Sequence, residues 1–450
     1  MTRGLAARRR TSSAEPAHVR SVLPSGLRVV TQELPHARSV AVALFVGVGS
    51  RHEDDRHAGL SHLLEHVVFK GTAGYPEAGA ISEAIEGCGG GVNASTDREL
   101  TVFSARVPAA RASTALEVVR ELALRPLLRR ADVVAEKPVI IDEIRMYVDS
   151  PSDHVFTLFD ELLFGRHPLG REIAGTPRSV RLATRELALA HWERWYRPGR
   201  MVLAVAGALD HAAVLDAAST WWDAPSGSPA EPALAPVAEL LPGAGAGGAP
   251  EMGEPGAVRV QHRDLAQGNL CLGMPGVSRN DPDRWALELL GAVLGDGMSS
   301  RLFLELRERR SLAYDVSTFA STYADCGTVG IHAGFDPDRV DEVVRAVVDQ
   351  LRRVVDAPVR PAELERARAY TRGRLELRME ETGAVASWLG TSEILLPRIL
   401  TVAEVVERLE AVTADEMLDV ARRYLSPDRA RLSLLGPFRA GSRWERLLTA

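Results

Sequence analysis

His191–Leu209 reads HWERWYRPGRMVLAVAGAL, and Val420–Phe438 reads VARRYLSPDRARLSLLGPF. Each stretch passes from an amphipathic helix with an aromatic near its end, through a Pro turn, into a β-type apolar run that meets a Gly. Pro cannot continue a helix, so the turn falls at the same place in both. A second correspondence lies upstream. The helical pattern of Leu116–Leu128 (LEVVRELALRPLL) follows the strand pattern TVFSARV, and that of Val340–Val355 (VDEVVRAVVDQLRRVV) follows GTVGIHAGF. Recurrence of a whole supersecondary pattern points to duplication of one α/β unit. Each half reads as strands, helix, strands, long helix, further helices and a final strand. Neighbouring short-loop strands such as VRSVLPSGLRVVTQEL, with a Pro-Ser-Gly turn, form hairpins, so the sheets are expected to be mainly antiparallel or mixed. The expected fold class is α+β, two homologous domains, each a mainly antiparallel sheet packed against helices.

Between the halves, residues 224–257 read APSGSPAEPALAPVAELLPGAGAGGAPEMGEPGA. Pro and Gly stop any helix or strand there, which makes the segment a linker. Its glycines lack the preceding strand and following helix of a dinucleotide loop. The expected division is a disordered basic arm over 1–17, a metal-binding catalytic domain over 18–223, the linker, and a homologous domain over 258–450.

Composition bounds the function. The chain has 450 residues, 46% apolar and 25% charged, as a soluble globular protein of two or more domains would. A net charge of -6 argues against nucleic-acid binding. Three scattered cysteines, Cys88, Cys271 and Cys326, fit a reducing compartment without a disulfide framework. No apolar run is long enough to span a bilayer, and the basic N-terminus lacks the apolar stretch of a secretory signal. The expected location is cytoplasmic.

The chemistry concentrates in AGLSHLLEHVVF, which contains His62-Leu-Leu-Glu65-His66. The pattern is helical, with Ser61 as the expected N-cap. Residues four apart share a helix face, so both imidazoles can reach one cation. Glu65 can polarise a water held by that cation. This is H-x-x-E-H, inverted relative to H-E-x-x-H. A catalytic zinc takes three protein ligands and keeps one open position. Downstream, Glu136 and Glu143 lie seven apart and share one helical face.

Two histidines in this order, then 76 residues, then Glu143, resemble the pitrilysin and insulinase peptidases, including the mitochondrial processing peptidases and their bacterial relatives. The resemblance implies His62, His66 and Glu143 as ligands of one Zn²⁺ per chain, Glu136 as support behind them, and Glu65 as general base. Phe69-Lys70-Gly71-Thr72 matches the family's run after the metal helix and implies that Phe69 lines a substrate pocket. Gly89–Thr96 (GGGVNAST) resembles the family's edge strand, where Asn93 and Ala94 would hold an extended peptide by β-augmentation. In the second half, Leu306–Tyr314 (LRERRSLAY) matches a segment whose Arg and Tyr reach the substrate, here Arg307 and Tyr314. A guanidinium and a phenol are apt donors to a developing oxyanion.

Two departures are visible. Ser311 stands where the family has Gly, which bears on a turn. Pro138 lies between the two glutamates, where a kink would shift Glu136 relative to Glu143. The family builds a clamshell chamber from four such domains, so this chain is expected to act on peptides or precursor leader segments as a homodimer, or as a heterodimer with a related subunit. A non-catalytic partner subunit, a different metal hydrolase and a pure binding module explain less, because the metal set and the Arg/Tyr pair are both present.

Overall fold

The computed structural model describes residues 18–221 and 252–449. The arm over 1–17 and most of the linker over 224–257 lie outside the described residues.

The first half contains β1 (Val19–Val22), β2 (Arg28–Glu33), β3 (Ser39–Val46), α1 (Leu60–Val68), α2 (Ala78–Glu86), β4 (Gly91–Thr96), β5 (Thr101–Pro108), α3 (Ala112–Leu124), α4 (Arg130–Asp149), α5 (Pro151–Phe164), α6 (Pro177–Leu182), α7 (Arg185–Trp195), β6 (Met201–Gly207) and α8 (His211–Ser219). The second contains β7 (Val258–His262), β8 (Gly268–Gly276), α9 (Arg284–Leu294), a π-helical segment (Phe303–Arg309), β9 (Ala313–Thr322), β10 (Gly327–Phe335), α10 (Val340–Asp356), α11 (Pro361–Arg378), α12 (Thr382–Leu395), α13 (Val402–Ala411), α14 (Ala414–Tyr424), β11 (Arg431–Gly436) and α15 (Arg443–Thr449).

The strand orders are β1-β2-β6-β3-β5-β4 and β7-β11-β8-β10-β9. Laid over one another, β6 matches β11, and these are the strands that end the two related segments His191–Leu209 and Val420–Phe438. The expected β1–β2 hairpin forms, pairing Val19 with Thr31. Both sheets are mixed: β2 runs parallel to β6, and β7 to β11, while the other pairs are antiparallel. The helix expected over Leu116–Leu128 ends at Leu124, because Pro126 cannot extend it.

Each sheet buries one face against its own helices. In the first half, Val42, Leu44, Val46, Leu203 and Val205 meet Leu63, Leu64 and Val67 of α1 and Val118, Val119 and Leu122 of α3. The other face of each sheet is covered from across the sequence. Helix α12 lays Val385, Ala386, Leu389 and Ile394 on Ala41, Ala43, Phe45, Val202 and Ala204. Helix α5 lays Val155, Leu158, Phe159 and Leu163 on Cys271 and Leu435. The halves therefore exchange one helix each, and the packing boundary differs from the sequence boundary for α5 and α12. Burial of a Val, Leu or Phe side chain contributes roughly 1.5–3 kcal/mol, so either exchanged helix is a large share of the fold's stability.

A polar seam completes the junction. Buried Arg51 bonds Glu99 at 2.7 Å and Asp325 at 2.8 Å. Glu99 also accepts from Arg279 at 2.5 Å and from the Ala324 amide at 3.1 Å. Arg98 bonds the Tyr323 hydroxyl and Asp160. Every charge in this seam has a partner of opposite sign, the condition under which burying charge is tolerated.

Candidate metal centre and peptide groove

Helix α1 begins at Leu60, one residue before the expected cap Ser61. Gly59 is the N-cap, with a left-handed φ of 92°, and an added Cβ would lie 2.4 Å from the Ala174 carbonyl oxygen. The capping acceptor comes from outside the helix: Glu53 accepts from the amides of Gly59 at 2.7 Å and Ser61 at 2.6 Å. A carboxylate at a helix N-terminus satisfies orphan amides and opposes the helix dipole. Burial pushes Glu53 up to about 7, against the downward pull of those amides. The Ser61 hydroxyl instead bonds His191 Nε2 on α7 at 3.1 Å.

On α1, His62 and His66 stack edge to face with ring centres 4.6 Å apart. Glu143 Oε2 lies 3.7 Å from His62 Nε2 and 3.3 Å from His66 Nε2. Ligand atoms from these three residues all lie within 4.8 Å of one another, the one such His, Cys, Asp or Glu group among the described residues. Three ligands at zinc distances of about 2.0–2.1 Å in a tetrahedron sit roughly 3.3–3.5 Å apart, so the donor set fits a single zinc ion. Burial, then the neighbouring His66, lowers His62 to about 4. A neutral imidazole is the form that can donate a lone pair to a metal.

Pro138 does not separate the two glutamates. Helix α4 runs unbroken from Arg130 to Asp149. Glu136 Oε2 lies 3.1 Å from His66 Nδ1, and its other oxygen is 2.6 Å from Lys70 Nζ. The carbonyl that Pro138 leaves unpaired belongs to Val134, on the exposed side of the helix, where water can serve it. Glu136 thus orients His66 from behind while Glu143 meets both rings from the front. Lys70, absent from the expected site, neutralises Glu136; its spacing of four from His66 was the available signal.

Glu65 is half-buried between the imidazoles and strand β4. Burial raises it above the ordinary glutamate range; Thr96 and His66 oppose the shift and Glu143 adds to it. Strand β4 is a sheet edge, hydrogen-bonded to β5 alone. Asn93 is exposed on it, with Oδ1 accepting from the Ala94 amide at 3.0 Å, while the Ala94 side chain is buried in the core. Phe69 caps the C-terminus of α1 and packs partly on the first half's core.

Arg307 and Tyr314 come together in the second half. The Arg307 guanidinium lies 5.2 Å from the Tyr314 ring centre and 4.9 Å from Phe303. Arg307 rides the π-helical segment, a rare geometry often found at functional sites. Gly334 pairs with Asp315 and Phe335 with Ala313, so Tyr314 occupies a β-bulge. A bulge re-aims its side chain, and Tyr314 is 74% exposed. Among the described residues, no hydrogen bond, ion pair or ring contact joins either side chain to the histidine cluster. Ser311 adopts φ 47°, the left-handed turn that Gly would make freely.

Fold and cluster together define a class: peptidases built from duplicated α+β units. Residues 28–177 match the model of the insulinase peptidases, family M16, and residues 183–370 match that of the M16 inactive domain. An uncharacterized zinc protease of Streptomyces coelicolor is 37% identical over 420 residues, covering 93% of this chain and 90% of the relative. One from Bacillus subtilis is 32% identical, covering 92% and 97%. A Helicobacter pylori protease superposes with a TM-score of 0.82 at 21% identity, covering 94% of this chain and 100% of that one, which speaks for the fold. The chain belongs to the insulinase family of peptidases, M16.

Proposed function

We propose that this chain is a zinc endopeptidase that cuts peptides or precursor leader segments inside a dimeric chamber, as a cytoplasmic enzyme. The observation that carries the reading is the convergence of His62 Nε2, His66 Nε2 and Glu143 Oε2, with Glu65 alongside. These three residues would hold Zn²⁺, which supplies Lewis acidity and an acidified water when bound. Glu65 takes a proton from the attacking water and returns it to the leaving amine; its raised pKa favours the return. The open edge of β4 receives an extended peptide as an added strand, with Asn93 beside it. Arg307 and Tyr314, both exposed and in contact with each other, would donate to a substrate that enters from the second half's side.

The test is Glu65→Gln. Wild type is expected to hold about one zinc per chain and to cleave a mixed peptide library, with activity lost to a chelator. The variant is expected to keep its zinc and lose cleavage by a factor of roughly 10² or more. A wild type that binds zinc and cuts only with a second related chain makes it a subunit of a heterodimer. One that binds no metal removes the reading.

A further inference from the structure

Helix α4 carries Glu136, Ile140, Glu143 and Tyr147 at spacings of four, three and four. Such spacing puts all four on one face. Glu136 and Glu143 tie that face to α1 through the contacts above, and Ile140 is fully buried beneath them. Tyr147 continues the stripe one turn past Glu143 and is 42% exposed. Its electrostatic neighbours are Glu143, Glu172, Asp153 and Glu65, so the phenol stands on the side of the helix that holds the reacting groups. Among the described residues its hydroxyl makes no hydrogen bond. Burial first, then those carboxylates, raises the phenol above its ordinary range.

We propose that Tyr147 is a further catalytic residue of this chain, whose phenol donates a hydrogen bond to the carbonyl oxygen of the scissile peptide as that oxygen gains negative charge. The assignment rests on the peptidase reading. The proton stays on the phenol throughout; the hydrogen bond shortens as charge builds. Arg307 and Tyr314 belong to the other half and touch no member of the histidine cluster, whereas Tyr147 shares a continuous helix with Glu143. A donor on the element that carries a metal-site carboxylate needs no domain movement to be in register, which is the economy of a preorganised site.

Tyr147→Phe removes the donor and keeps the ring. Three quantities separate the outcomes: zinc per chain, affinity for an uncleaved planar peptide in the Glu65→Gln background, and affinity for a phosphinic peptide whose tetrahedral oxygen stands where the oxyanion forms. The expected result is unchanged zinc, unchanged planar-peptide affinity, and a loss on the order of 10²-fold in both kcat and phosphinic-peptide affinity. Equal losses for planar and phosphinic peptides would make Tyr147 a uniform binding contact and overturn the assignment. So would unchanged kcat, or loss of zinc. A wild type that binds zinc but neither cleaves nor binds the phosphinic peptide removes the peptidase reading itself, and this assignment with it.

Discussion

At the scale of single residues, the site is a set of oriented donors. Glu136 holds His66 by Nδ1, leaving Nε2 to face Glu143 and His62. Replacing it by Gln keeps the shape and removes the charge behind the ring. Zinc affinity of Glu136→Gln, measured by chelator competition, is expected to fall roughly 10–100-fold. Ser311 offers a test in the opposite direction. Its left-handed φ costs an L-residue on the order of 1 kcal/mol, and its side chain is exposed. Ser311→Gly is therefore expected to raise the unfolding free energy by up to about 1 kcal/mol, read as a higher denaturation midpoint. The two histidines and Glu65 were legible in the sequence because a helix repeats every 3.6 residues. Glu143 was one of two equivalent candidates until the family resemblance chose between them. The Tyr314 bulge was not legible, since it is a mismatch with a strand that follows later in the chain.

At the scale of elements, α1 is held in place by groups that the sequence does not announce. Ser61 looks like a cap, yet Glu53 takes both terminal amides, because the preceding loop folds a carboxylate over the helix end. Helix α7 is tied to α1 by the Ser61–His191 bond, and His191 and His52 both pack on Trp195. Burial first lowers each of these imidazoles to about 4 from 6.5. His52 Nδ1 lies 3.1 Å from the Gly49 amide and 3.3 Å from the Gly49 carbonyl oxygen, and the carbonyl contact opposes the downward shift that burial imposes. The unfolded chain binds protons below pH 6.5 that the folded chain refuses until about pH 4. Stability that is full above pH 6.5 is thus lost as pH falls toward 4, by about 1.4 kcal/mol per pH unit for each ring. Glu53, raised to about 7, contributes a slope of opposite sign and His62 one of the same sign, so the reading is a difference: across that window the urea midpoints of His52→Gln should fall less steeply than wild type by one ring's share. Elements with strong local patterns, such as the β1–β2 hairpin and α10, follow the sequence reading closely.

At the scale of the whole molecule, duplication was legible and exchange was not. The repeat of α7–β6 in α14–β11 gives two sheets of matching order. Nothing local says that α5 and α12 pack across, because amphipathicity names a buried face but not its partner. Their contacts are close. Gly390 of α12 lies over Phe45 of β3, and an added Cβ would stand 2.0 Å from that ring; on the other side, Phe159 of α5 lies over Gly273 of β8, where an added Cβ would stand 2.6 Å from the ring. Gly390→Ala is expected to destabilise by about 1–3 kcal/mol through overpacking, read as a lower Tm, with Phe45→Leu in the same chain restoring part of the loss.

The exchanged helices also set a timetable for synthesis. When β6 leaves the ribosome, the first sheet is complete but the face that α12 will cover is bare, with Phe45 and Val202 in its middle. At about 5–20 residues per second, roughly 10–40 s pass before α12 emerges. During that interval the nascent chain displays a broad apolar sheet surface, so its survival depends on a holding chaperone or on a sheet that closes late. The first half, released early by a premature stop, would carry that surface permanently and be a target for aggregation or clearance.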